Sequence, residues 1–249
     1  MAEVVGVAAP TPGTIRVTLA APAFADLGVT QPGEILTLGW AAPGETLVLP
    51  ERGWRFPPGT REQHWRNYTV RHYHPERAQL DVDFALHEDP GEATRWATVA
   101  APGDRVGYAG PRMHWDAELE ADWSLLVADD TALPALLAIV ESLPTGHPVI
   151  AVAEVADHRE RQDVDTDADL ALRWVTRDGR RPGTTSLLAD AVRALELPPG
   201  LGRAWGGGES LAMRDVRTHL RGACGMPAGA VHFMGYWRHR STPEDVDFD

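Results

Sequence analysis

One change of rhythm constrains this chain more than any other feature. Up to about residue 115 the apolar residues alternate with polar ones in short runs; from Trp123 onward they come in unbroken runs separated by helical stretches. Alternation buries one face of a strand, as in antiparallel sheets. A continuous apolar run buries both faces, as in parallel sheets covered by helices. The 249 residues therefore carry two architectures in series, with enough chain for two modest cores.

In the first part, alternating segments at 4–7, 14–19, 35–40, 68–73, 80–85 and 105–108 are separated by turns such as Thr11-Pro12-Gly13, Gln31-Pro32-Gly33 and Ala101-Pro102-Gly103-Asp104. Short strands with that punctuation predict an antiparallel barrel or sandwich, interrupted by one short helix over 91–97. In the second part, strands at 124–128, 149–155, 170–175, 203–205 and 231–236 alternate with helices at 133–142, 186–195 and 210–221. That order predicts an α/β domain with a parallel sheet. The expected domains are 1–115 and 122–240, followed by an acidic, flexible tail at 241–249 that lacks an apolar pattern.

Charge and cysteine usage narrow the function. A net charge of −13 disfavours nucleic acid, whose phosphates would be repelled. The single cysteine, Cys224, excludes an internal disulfide and a cysteine-ligated iron–sulfur cluster. The apolar run at 132–140 falls far short of the ~20 residues a membrane helix needs, and no basic-then-apolar leader precedes the first strand. The expectation is a soluble, cytoplasmic, monomeric protein that holds no metal of its own. All 23 basic residues are arginine. Any anion site must then use guanidinium forks, backbone N–H groups or helix N-termini.

Four segments have a composition suited to redox cofactors. In Arg66-Asn67-Tyr68-Thr69-Val70-Arg71, alternation puts Arg66 and Tyr68 on one strand face, a cation beside an aromatic ring, as a flavin dinucleotide requires. The helix at 91–97 offers its N-terminal N–H groups, Thr94 and Arg95 to a pyrophosphate. Ala128-Asp129-Asp130-Thr131-Ala132-Leu133 joins the first buried strand to a helix, where doubly wound sheets bind ligands. Trp205-Gly206-Gly207-Gly208-Glu209-Ser210 joins a late strand to a helix through glycines, either as a close-approach site or as a flexible turn. No G-x-G-x-x-G fingerprint is present.

These segments, with Gly53-Trp54-Arg55-Phe56-Pro57, Leu80-Asp81-Val82-Asp83-Phe84-Ala85-Leu86-His87, Thr94-Arg95-Trp96-Ala97, Pro102-Gly103-Asp104-Arg105-Val106, Gly110-Pro111-Arg112, Glu154-Val155-Ala156-Asp157 and Gly235-Tyr236-Trp237-Arg238, stand in the order found in one family. The chain resembles the siderophore-interacting proteins, FAD-dependent ferric-siderophore reductases of the ferredoxin-reductase superfamily. The resemblance implies a flavin-binding β-barrel followed by an NAD(P)-binding α/β domain. It implies non-covalent FAD, NADH or NADPH as donor, and a ferric siderophore or other iron chelate as partner and acceptor. No protein group need act as a chemical catalyst, since the flavin mediates the transfer.

Residue by residue, the resemblance places Arg66, Tyr68, Thr69 and Val70 along the flavin and Asp83 and His87 at its other edge. Thr94 and Ala97 would lie near the pyrophosphate, and Asp130, Thr131 and Ala132 would close the pocket. Gly207 and Gly208 would underlie the nicotinamide nucleotide, Glu154 and Asp157 would meet its ribose, and Trp237 would gate or stack. The chain departs from the family at Ala128, where glycine is usual, and at Ile35-Leu36-Thr37-Leu38, where a lysine-containing strand is usual. Two other readings fit the residues: a reductase of the same architecture with another acceptor (a quinone, free flavin or biosynthetic intermediate), and a siderophore or flavin carrier without turnover.

Overall fold

The computed structural model describes residues 1–29, 31–41, 46–51, 56–59, 64–87, 91–113, 115 and 120–239. Gly53-Trp54-Arg55, most of the expected junction and the tail at 241–249 lie outside them. The chain divides into two compact units, Met1–Ala117 and Glu118–Asp249.

The first unit holds β1 (Ala2–Thr11), β2 (Thr14–Ala20), β3 (Ile35–Trp40), β4 (His64–Thr69), β5 (His72–His74), β6 (Gln79–Ala85) and β7 (Arg105–Arg112). They form one antiparallel sheet in the order β4-β3-β7-β1-β2-β6-β5. Its two outermost strands, β4 and β5, are consecutive in the chain and joined only by Val70-Arg71. The Val70 N–H donates to the Glu34 carbonyl at 2.7 Å and the Arg71 N–H to the Asp81 carbonyl at 2.8 Å. Those bonds draw the two edges together, and the sheet curls into a barrel. The single strand expected at 68–73 is therefore two, broken where the chain steps from one edge to the other.

Val4, Val17, Leu19, Leu36, Leu38, Leu80, Val82 and Phe84 fill the barrel. On β6 the alternation leaves Asp81 and Asp83 on the opposite face. Helix α1 (Glu92–Val99) lies beside β2, β4 and β6 and presses Ala93 and Ala97 onto the same core.

The second unit holds β8 (Trp123–Ala128), α2 (Leu133–Ser142), β9 (Pro148–Val155), β10 (Asp169–Thr176), α3 (Leu187–Arg193), β11 (Gly202–Glu209), α4 (Ser210–Gly222) and β12 (Val231–Trp237). Every strand pairing is parallel, in the order β10-β9-β8-β11-β12. Each residue of β8 and of β11 is buried, as the continuous apolar run requires. Leu125 and Val127 share a core with Leu188 and Val192 of α3 and Met213 and Val216 of α4, while α2 packs on β8 and β9. The chain builds outward from β8 to β10, then returns to place β11 against β8 on its other side. The strand order reverses there, so the carboxyl ends of β8 and β11 mark the switch point.

Strand β11 runs to Glu209 rather than stopping near Trp205, so the three glycines lie inside a strand and not in a turn. A Cβ on Gly206 would stand 2.3 Å from the Phe233 ring, and one on Gly207 would stand 2.8 Å from the Ala132 Cβ. Glycine lets the neighbouring side chains come that close.

Candidate functional site

The barrel carries the first candidate region. Register sets Tyr68 opposite Leu36 and Arg66 opposite Leu38, so the two share one face of β4, and Tyr68 packs against the barrel core. The Tyr68 ring lies 4.4 Å from that of Phe84, tilted by 38°. Phe84 stands 5.7 Å from Trp96 of α1, and Trp96 stacks on Trp40 at 5.9 Å. An aromatic row thus ties β4 to α1. Burial pushes the Tyr68 phenol well above its usual range, so it stays neutral at any physiological pH. Arg66 is exposed, with one N–H donated to the Trp65 carbonyl at 2.9 Å. Thr69 and Val70 are buried at the end of the strand.

Helix α1 has Gly91 at its cap, with no side-chain cap bond, and among the described residues, its chain neighbours apart, no atom lies within 4 Å of where a Gly91 Cβ would be. Glycine at the cap position offers no side chain to the first N–H groups, and the positive end of a helix attracts an anion. Arg95 is exposed one turn along, and Thr94 and Ala97 are buried on the face toward the core. Helix α4 differs. There Glu209 is the cap, with Oε2 accepting from Leu211 N at 2.7 Å and Ala212 N at 2.9 Å, and the helix end is already neutralised.

Arg66, Tyr68, Thr94 and Ala97 are brought together in this way; Asp83 is not. It projects from the opposite face of β6, where Arg16 holds both carboxylate oxygens at 2.6 and 2.7 Å. The alternation of Leu80, Val82 and Phe84 with Asp81 and Asp83 contained that information. His87 follows β6, half-buried, just beyond a Leu86 N–H to Gly13 carbonyl bond of 2.8 Å.

For FAD the donor set fits: a helix N-terminus with glycine at its cap and two exposed guanidinium groups for the pyrophosphate, with a half-buried aromatic ring on the neighbouring strand.

The second region is the switch point of the parallel sheet, and two residues the sequence reading passed over organise it. Asp129 is buried. Its Oδ1 accepts from the Thr131 N–H at 2.9 Å and hydroxyl at 2.6 Å, and its Oδ2 from the Glu209 N–H and the Trp237 indole N–H, each at 2.8 Å. One carboxylate thus ties together the ends of β8, β11 and β12. Trp237, expected to gate or stack, has its indole N–H in this knot. Its backbone carbonyl also accepts the Ser210 hydroxyl at 2.8 Å.

Arg177, just past β10, is the other. It is 4% exposed and pairs with Asp130 at 2.5 Å and Glu154 at 3.4 Å. Burial pushes the Asp130 carboxyl up to about 6 against the pull of Arg177, and the nearby Asp129 and Glu154 charges add to the rise. Burial raises Glu154 as well; it also accepts the Leu188 N–H. Glu154, expected at a ribose, is buried and pairs with Arg177 and Leu188. Asp157 is half-buried and forks with Arg159 at 2.7 Å. Ala132 and the Tyr236 ring take up the space beside Gly207, and the Asp129 carboxyl that beside Gly208. No local pattern announces Arg177. Its partners are named only by the parallel register, which pairs Val175 with Glu154.

An antiparallel barrel followed in the chain by a parallel sheet with its switch point between β8 and β11 defines the ferredoxin-reductase-like class. The ferredoxin reductase of carbazole 1,9a-dioxygenase shares this fold with a TM-score of 0.66 at 18% identity, over 94% of this chain and 66% of that one. Residues 3–115 match the siderophore-interacting FAD-binding domain and residues 121–240 the siderophore-interacting protein domain; the chain belongs to the siderophore-interacting protein family. A siderophore utilization protein from T. fusca superposes with a TM-score of 0.87 at 34% identity, covering 98% of this chain and 94% of that one. The ferric vibriobactin reductase ViuB of Vibrio cholerae is 28% identical over 181 residues, which is 72% of this chain and 66% of the reductase.

Proposed function

We propose that this protein is an NAD(P)H-dependent flavoprotein reductase that removes iron from a ferric siderophore by reducing it. The observation that carries the reading is the N-terminus of α1, with glycine at its cap, beside the Arg66–Tyr68 strand, in a unit that matches a siderophore-interacting FAD-binding domain. Bound FAD would supply the link between a two-electron hydride donor, NADH or NADPH, and Fe(III), a one-electron acceptor.

The chain's residues bind and orient. The first N–H groups of α1, with Arg95 and Arg66, neutralise the pyrophosphate. The Tyr68 ring supports the isoalloxazine, and Thr69 and Val70 line its edge. In the second unit, Thr131, Ala132, Gly207 and Gly208 border the place for the nicotinamide nucleotide at the switch point, and Asp129 holds that border rigid through Trp237 and Glu209. Arg177 fixes the Asp130 turn from beneath. Because hard oxygen chelators hold Fe(II) more weakly than Fe(III), reduction alone frees the metal and leaves the chelator intact.

The test is spectroscopic. Protein loaded with FAD is followed anaerobically as NADH or NADPH is added, and then a ferric hydroxamate with an Fe(II) indicator. The flavin band should bleach with the nucleotide and return as the indicator colours. A protein that takes up no FAD overturns the reading in favour of a carrier. Bleaching without Fe(II) formation assigns it another acceptor.

A further inference from the structure

The histidines are scattered in sequence, but pairing of β5 with β6 collects two of them around a carboxylate. His72 and His74 alternate on β5 and so share a face; register sets His72 opposite Asp81 of β6. His72 Nδ1 lies 2.9 Å from Asp81 Oδ2, and His74 Nε2 lies 3.6 Å from the same oxygen. One donor atom from each of the three falls within 4.8 Å of the others. The imidazoles are 32% and 28% exposed and open to solvent. The second Asp81 oxygen accepts the Thr18 hydroxyl at 2.7 Å, which fixes the carboxylate's orientation.

Ligand atoms about 2.1 Å from a tetrahedral ion stand about 3.4 Å apart. The spacing around Asp81 Oδ2 brackets that value. Two imidazoles and one carboxylate, with the remaining positions open, suit zinc or ferrous iron rather than calcium or magnesium. We propose that His72, His74 and Asp81 form a binding site for a divalent first-row transition-metal ion. Asp81 projects from the face of β6 opposite Phe84, so the site is distinct from the aromatic face carrying Tyr68.

Arg77 controls access. Its NH2 group stands 2.9 Å from His74 Nδ1. A guanidinium can only donate, so that nitrogen is the acceptor and Nε2 keeps the proton. Ligation through Nε2 requires the other tautomer, and Arg77 must first let go. Its side chain is 58% exposed and otherwise meets the exposed Glu76, so little opposes the release.

The test titrates the FAD-loaded protein with zinc sulfate by calorimetry, with retained metal counted after dialysis. One zinc per chain is expected, with binding weakened roughly 100-fold or more in H72A/H74A and tightened in R77A. X-ray absorption should show imidazole nitrogen in the zinc shell. The competing surface pair is Cys224 with His219, 3.4 Å apart. Binding that survives H72A/H74A but disappears in H219A/C224S overturns the proposal, and so does the absence of stoichiometric zinc. Circular dichroism and flavin content check that H72A/H74A folds. If it does not, the near-isosteric D81N takes its place, and undiminished zinc binding there overturns the proposal equally.

Discussion

Arg177 is the residue on which the buried electrostatics of the second unit turn. One guanidinium faces Asp130 and Glu154 directly, with Asp129 close by. Removing the cation while keeping its bulk, as in R177M, leaves buried carboxylates without compensation. Urea denaturation at pH 7 should show a loss of about 3–5 kcal/mol. The triple variant R177M/D130N/E154Q should recover most of it, because the uncompensated charges leave with their partner. Asp130 makes a separate prediction with a definite sign. Its carboxyl titrates at about 6 when folded and near 4 when unfolded, so the folded state binds the proton more tightly. The stability this contributes is fully present below pH ~4, is lost as pH rises through ~6, and changes little above that. Unfolding midpoints of wild type relative to D130N should fall across that window. A constant difference from pH 4 to 7 would mean that Asp130 ionises normally.

Among the elements, α1 carries the proposed pyrophosphate site. Gly91 has an extended backbone, φ −63° and ψ 171°, which aspartate also adopts. Gly91→Asp should cap the helix and stabilise the FAD-free protein by about 0.3 kcal/mol. The same carboxylate would occupy the N–H groups proposed for the pyrophosphate and repel its charge. FAD titration followed by flavin fluorescence should show affinity at least about tenfold weaker, the size of one lost charge-assisted contact. Unchanged affinity would move the pyrophosphate elsewhere. Elements built on local signals were legible in the sequence: α1, the alternating strands, and the buried run of β8. Two others depended on distant partners. The break at Val70-Arg71 exists because the barrel closes there. The glycines of β11 look like a turn until Phe233, Ala132 and Tyr236 arrive beside them. The candidate site was legible to the same extent. The positions of Arg66, Tyr68 and Thr94 follow from strand alternation and a helix start, whereas Asp129 and Arg177 meet partners brought near only by parallel pairing.

At the scale of the whole molecule, the rhythm change near Trp123 foretold a barrel followed by an α/β sheet, because burying one face or two leaves different periodicities in the chain. Each unit has its own core, and a ligand that binds only one folded unit stabilises only that one. Calorimetry of the FAD-free protein should then resolve two transitions, with R177M identifying the second unit by lowering its midpoint. FAD at about 100 times its dissociation constant should stabilise the other transition by about 2.7 kcal/mol. NADPH added without FAD should act on the transition that R177M lowers. An FAD effect confined to the R177M-sensitive transition would contradict the placement of the flavin on Tyr68 and α1. A single transition rising with either ligand would mean that the two cores unfold as one cooperative body, and R177M would then lower the FAD-loaded midpoint as well.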